Sequence, residues 1–235
     1  VQFFHREAMR AIPGVVGVWP MNKPSGNEED FGTGHDAVPS AEGLIRATPS
    51  LLPNREGRSC QFDGAKGFFS IAAAPIINLA DTFSMSAWVR PIVVGSERVI
   101  FTLGPNGGEL GIQGAGGKLL GGKQGVGGWL FGAVPTPDGT TVFVVITKNG
   151  AARHLYLNGA DQSELVADRT CESSEEPKQI GRILPSSFFY SGYLQYLGLY
   201  STALTPTQVT TLWQSAHRGT LRATPIDPQL KALTG

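Results

Sequence analysis

The chain is 235 residues long, 41% hydrophobic and 16% charged, with 31 glycines and 16 prolines. This balance suits one large domain of short strands and turns, or two small ones, and excludes an architecture of long helices. The net charge is zero at pH 7, so no global field draws the chain to nucleic acid, and no apolar run approaches the ~18 residues that span a bilayer.

The chain opens at Val1 without a signal-peptide pattern, as expected of a mature chain or an excised domain. Residues 1–12 (VQFFHREAMRAI) have some helical spacing and stop at Pro13, so 1–13 reads as an arm or short helix outside the core. GVVGVWPMN (14–22) predicts a first strand, stopped at Pro20. From Lys23 to Pro53 the chain is polar and turn-rich, a long loop with one short strand over 43–47. CQFDG and GFFSI, from Cys60 onward, read as strand, turn, strand. DTFSMSAWVRP (81–91) alternates, with Phe83, Met85, Ala87 and Val89 on one face and Ser84, Ser86, Trp88 and Arg90 on the other. Period two over eight residues predicts a half-buried strand, which Pro91 ends.

RVIFTLG is another strand, and Gly104–Gly128 then holds twelve glycines, read as a flexible hairpin or rim loop. Within it, GKLLGGKQ (117–124) nearly spells a phosphate loop. However, Gln124 replaces the magnesium-binding hydroxyl and no helix-forming run follows, so nucleotide binding is set aside. In TVFVVITKNGAARHLYLNGADQ (141–162), a β-branched run meets Asn149-Gly150, a strand returns over His154–Leu157, and Asn158-Gly159 opens a second reversal. Asn-Gly adopts positive φ at low cost, which hairpin turns require, so antiparallel pairing is expected. KQIGRIL and GYLQYLGLY supply two more strands. Thr205-Pro206-Thr207-Gln208 then starts a helix with a hydroxyl at the N-cap, proline at the first helical position and glutamine at N3. Val209, Leu212 and Trp213 form its docking stripe, and 214–235 reads as a tail or linker. These elements describe an all-β antiparallel sandwich, a jelly roll over 14–213, closed by one short C-terminal helix. The two cysteines, Cys60 and Cys171, are either a disulfide closing a loop of roughly 110 residues, stabilising by up to ~5 kcal/mol, or two buried thiols.

Five segments, in order, resemble the laminin-G-like and pentraxin-like (concanavalin A-like) jelly-roll family: GVVGVWPMN…GTGHDA, CQFDGAKGFFSI, DTFSMSAWVRP, VFVVITKNGAARHLYLNG and SGYLQYLGLYSTALTPTQVTTLW. The resemblance implies secreted or cell-surface modules that bind glycans or proteins at a sandwich rim, often with calcium. Family members place an acid before the GxGHD-like turn and an Asp in the last strand. Here Glu29, Asp30 and Asp36 occupy the first region, and Gln195 stands at the second. Calcium takes six to eight oxygens, mostly carboxylate and carbonyl, and a Gln amide brings no charge. Two readings stay open: a weakened calcium site, or an acidic solvated loop that Gln195 hydrogen-bonds directly.

The superfamily's glucanases carry E-x-D-x-E on one strand, because a retaining glycosidase needs two carboxyls about 5–5.5 Å apart. No strand here has that pattern, so catalysis is not expected. Outward His154 and Tyr156, with Arg153, Trp88 and Trp129, are candidates for a saccharide platform, since aromatic faces stack on sugar rings. Arg153, Arg169, Lys178 and Arg182 are candidates for a basic rim, opposed by Glu172, Glu175 and Glu176. The expected function is a non-catalytic extracellular recognition module for a glycan or a cell-surface protein, using rim loops at 23–42 and 104–128. The alternative is an assembly domain packing against other domains or copies of its parent protein.

Overall fold

The computed structural model describes residues 4–92, 97–114, 116–123, 130–164, 170–184 and 187–218. In chain order the first elements are α1 (Phe4–Arg10), β1 (Val15–Trp19), β2 (Ala37–Pro39), β3 (Leu44–Thr48), β4 (Ser59–Asp63) and β5 (Phe69–Ile71). There follow β6 (Thr82–Pro91), β7 (Arg98–Thr102), β8 (Gly108–Ile112), β9 (Lys118–Lys123) and β10 (Leu130–Pro135). The last are β11 (Val142–Asn149), β12 (Ala152–Leu157), β13 (Ala160–Asp161), β14 (Lys178–Ile180), β15 (Ser191–Tyr200) and α2 (Pro206–Ser215).

The strands form two antiparallel sheets. One has the order β13-β12-β11-β6-β15-β4-β3, with β1 added alongside β15; the other runs β10-β9-β8-β7-β14-β5-β2. The ten-residue β15 serves two partners on one edge: Ser191–Leu194 pair with β4, while Leu197–Tyr200 pair with β1. The main core lies between the sheets and contains Phe83, Met85, Ala87 and Val89 of β6, Leu110 and Ile112 of β8, and Val144 and Ile146 of β11. Each such side chain, fully buried, contributes about 1.5–3 kcal/mol. This is the all-β jelly-roll sandwich with a short C-terminal helix that the strand pattern predicts.

The predicted half-buried β6 is buried on both faces. A second apolar cluster covers the outer face of its sheet, where Trp88, Phe143, Tyr156, Tyr196 and Tyr200 pack beneath Met9 of α1 and Val209 and Leu212 of α2. Residues 4–10 therefore belong to a core layer rather than to an outlying arm: His5 and Met9 are fully buried. The helix start behaves as read, with Thr205 Oγ1 accepting from Gln208 N and Thr205 N donating to Gln208 Oε1.

Of the two readings of Gly104–Gly128, the hairpin is the one seen, since β8 and β9 pair antiparallel within it and belong to the second sheet. A Cβ on Gly108 would stand 2.2 Å from the Phe83 ring, so the glycine lets the two sheets close at that point. The disulfide expectation is corrected as well, because Cys60 and Cys171 are free buried thiols. Burial pushes the Cys60 thiol up to about 12, which keeps it protonated and unreactive.

Candidate functional site

The candidate site grows out of the second Asn-Gly reversal. Asn158 and Gly159 both have positive φ, and the two-residue turn sets the register Leu157 opposite Ala160 and Tyr156 opposite Asp161. Continuing that register sets Gln162 opposite Leu155, its N–H donating to Leu155 O, and the Leu155 amide donates to Ser163 Oγ at 2.9 Å. The segment then crosses to the other sheet: Ala133 N donates to Gln162 O, and Glu164 N to Phe131 O. Residues 160–164 thus sew β12 of one sheet to β10 of the other. An open cleft of 240 Å³ lies along this seam, lined by Leu130, Ala151, Ala152, Arg153, His154, Ser163 and Glu164.

Its polar groups form one array. Asp161 Oδ2 bonds His154 Nδ1 at 2.8 Å, and Asp161 Oδ1 accepts from Ser163 N at 2.9 Å and Ser163 Oγ at 2.6 Å. Burial raises the Asp161 carboxyl, but the Ser163 and His154 bonds outweigh it and hold the group below its ordinary value. Glu164 is tied to Lys118 at 2.8 Å. His154 remains 48% exposed. The cleft is therefore lined by the His154 imidazole, the Ser163 hydroxyl and the Glu164 carboxylate, with Asp161 bonded to His154 and Ser163 beside it, groups of the kind that hydrogen-bond saccharide hydroxyls.

Of the predicted ligand residues, the structure brings Arg153 and His154 together in this cleft. Two others are corrected. Trp88 is 2% exposed and donates its indole N–H to His5 Nε2 at 3.2 Å, beneath the helices. Tyr156 is likewise buried in that second cluster. Trp129, next to Leu130 in sequence, lies outside the described residues, as does Arg169. The expected basic rim does not gather: Lys178 is buried on β14 and donates to the carbonyls of Ser174 and Glu176, while Arg182 stacks on Phe68 at 3.4 Å. The pattern reading missed Asp161, Ser163 and Glu164, although the two-residue Asn-Gly turn fixes Asp161 opposite Tyr156 and so brings this segment back along His154.

The four residues proposed for calcium serve other ends. Asp30 is nearly buried, and its carboxylate accepts four backbone N–H groups: Val18 and Gly32 on Oδ1, both at 2.7 Å, with Thr33 at 3.0 Å and His35 at 2.9 Å on Oδ2. Asp36 Oδ1 accepts from Asp30 N, and Glu29 is paired with Lys23. Gln195 bonds the 50–56 segment instead of the acidic loop: its Oε1 accepts from Leu51 N at 2.7 Å and Ser50 Oγ at 3.1 Å, and its Nε2 donates to Glu56 O at 2.6 Å. Asp30 and Gln195 thus spend their side-chain oxygens on backbone and hydroxyl donors, whereas a hard cation such as calcium needs six or more oxygens.

One carboxyl pair does exist. Glu109 is fully buried without an N–H or O–H donor. Burial and the nearby Glu97 charge push it well above the carboxylate range, so it holds a proton against Glu97. Being fully buried, Glu109 has no open face for a sugar.

A family model described as the concanavalin A-like lectin/glucanase superfamily matches residues 63–210. The chain belongs to this superfamily. Domain 4 of an extracellular GH43 arabinanase from Geobacillus stearothermophilus, solved with arabinotriose, superposes with a TM-score of 0.66 at 18% identity, covering 85% of this chain and 98% of that one. The binding domain of Paraclostridial mosquitocidal protein 1 gives 0.65 at 15%, over 87% and 53%. The botulinum neurotoxin serotype D ligand-binding domain, solved with N-acetylneuraminic acid, gives 0.60 at 14%, over 88% and 52%. The chain thus spans about half the length of the two toxin domains. At these identities the likeness establishes the concanavalin A-like fold. No protein with a curated description matches by sequence.

Proposed function

We propose that this chain is a non-catalytic, extracellular or cell-surface recognition module that binds a saccharide in the seam cleft between β12 and β10. The observation that carries the reading is the His154–Asp161–Ser163 array, a rigid set of donors and acceptors at the mouth of an open cleft. The fold adds support, since a lectin superfamily presents such groups on a scaffold whose two sheets bury each other without help from the ligand. The arabinanase domain that this chain resembles over nearly its whole length was solved with a neutral oligosaccharide. No step of bond cleavage is assigned, because the cleft carboxylates Asp161 and Glu164 are engaged by His154, Ser163 and Lys118.

A glycan array probed with the wild-type chain and with Asp161→Ala tests this. Removing Asp161 frees His154 and Ser163 from their common anchor. The expected result is saccharide binding by the wild type that weakens at least about tenfold, or 1.4 kcal/mol, in the variant, with no reducing ends released from the bound glycan. Equal binding by both proteins would place recognition elsewhere, and sugar release would contradict the non-catalytic assignment.

A further inference from the structure

A second open cleft, of 410 Å³, lies along the connection between β3 and β4, lined by Pro49, Ser50, Arg55, Gly57 and Arg58. Its walls are fixed from below by the two side chains that the β15 bulge sends to one face. Gln195 bonds Leu51 N, Ser50 Oγ and Glu56 O, while Tyr196 Oη donates to Glu56 Oε1 at 2.7 Å. Asn54 N is held by Ala216 O at the end of α2, and Arg55 N by Leu52 O, which turns Arg55 through a positive φ of 58°. Gly57, also at positive φ, keeps the floor open: a Cβ there would stand 3.2 Å from Gln195 Nε2 and 3.4 Å from Tyr196 Oη.

The charge in this cleft is unbalanced. Several described cations elsewhere find acids, Lys23 with Glu29, Arg46 with Glu28, Lys66 with Glu42, Lys118 with Glu164, Lys123 with Glu172 and Lys148 with Asp81, while Lys178 bonds carbonyls and Arg90 and Arg182 stack on rings. Arg55 and Arg58 are exposed, and the acid between them in sequence, Glu56, is turned inward. Its carboxylate accepts His5 N, Arg6 N and Tyr196 Oη on the far side of the loop. Arg55 and Arg58 thus line one open cleft on a loop held by its own hydrogen bonds, and a guanidinium fork is suited to pairing with an oxyanion.

We propose that the 49–58 cleft binds the anionic group of an acidic saccharide, a sulfate ester or a uronate carboxylate, through Arg55 and Arg58. That the oxyanion is carried on a saccharide rests on the glycan reading above; the oxyanion recognition itself does not.

Titration calorimetry of the full chain with three hexasaccharides of equal length, one sulfated, one of uronic acids and one neutral, and with inorganic sulfate, separates the sources. The sulfated or the uronate hexasaccharide is expected to bind more tightly than the neutral one. That advantage should fall at least tenfold in Arg55→Ala/Arg58→Ala, shrink as NaCl rises from 50 to 200 mM, and be retained in part by Arg55→Lys/Arg58→Lys. Tight binding of inorganic sulfate alone, with no preference among the saccharides, would retain the oxyanion site and overturn the saccharide assignment. Equal binding of all three hexasaccharides, or an acidic preference untouched by both double variants at unchanged Tm, would overturn the proposal while leaving the seam cleft standing.

Discussion

At the scale of single residues, two buried titratable groups set opposite limits on the pH range of the fold. His5 is fully enclosed, with Trp88 donating to Nε2 and Ser215 Oγ 2.7 Å from Nδ1, so the neutral ring fits and a second ring proton does not. Burial lowers it from 6.5 to about 3, with the nearby His217 adding in the same direction. Because the folded value lies below the unfolded one, its contribution is complete above pH 6.5 and is lost as pH falls toward 3. Glu109 runs the other way. Its carboxyl is raised by burial and by Glu97, so its contribution is complete below the ordinary carboxylate value of 4.5 and is lost as pH rises through the raised one. Urea denaturation across pH should therefore show stability falling on both limbs. Glu109→Gln should flatten the alkaline limb and leave the acid limb intact; an unchanged alkaline limb would mean Glu109 is ionised in the fold.

At the scale of elements, the departures from strict alternation carry the architecture. In β15, Leu194, Leu197 and Leu199 face the main core while Tyr196 and Tyr200 face the second cluster. The spacing of three between Leu194 and Leu197 marks a bulge, seen as a register shift after Gln195 with Tyr196 at positive φ. A bulge puts consecutive side chains on one face, which is why Gln195 and Tyr196 both reach the 50–57 loop. That spacing is legible in LQYLGLY, as are the Asn-Gly turns and the Thr205 capping box. The second core was not legible, because Ser84, Ser86 and Trp88 look like a solvent face until α1 and α2 are seen to cover them. Nor were β8 and β9, whose glycines carry no periodic signal and are required by what lies opposite. Gly108→Ala should overpack the Phe83 contact and cost about 1–3 kcal/mol, read as a lowered Tm; an unshifted Tm would show that the ring moves freely.

At the scale of the whole molecule, two sheets bury one another, two helices seal the outer face of the larger sheet, and the polar groups left over collect in two places. The seam cleft sits where the chain crosses between sheets at 160–164, and the arginine cleft where the 49–58 loop rests on the β15 bulge. Neither coincides with the 23–42 loop, where the Asp30 carboxylate is consumed by four backbone N–H groups. Family resemblance thus located the fold, while the proposed site rests on hairpin register and on which charges found partners. The most direct test of the central claim is an amide NMR titration of the intact chain with the neutral saccharide that an array selects. The account predicts shifts concentrated at 151–154 and 161–164 and abolished in Asp161→Ala. Saturating shifts confined to other surfaces, or persisting unchanged in that variant, would contradict it.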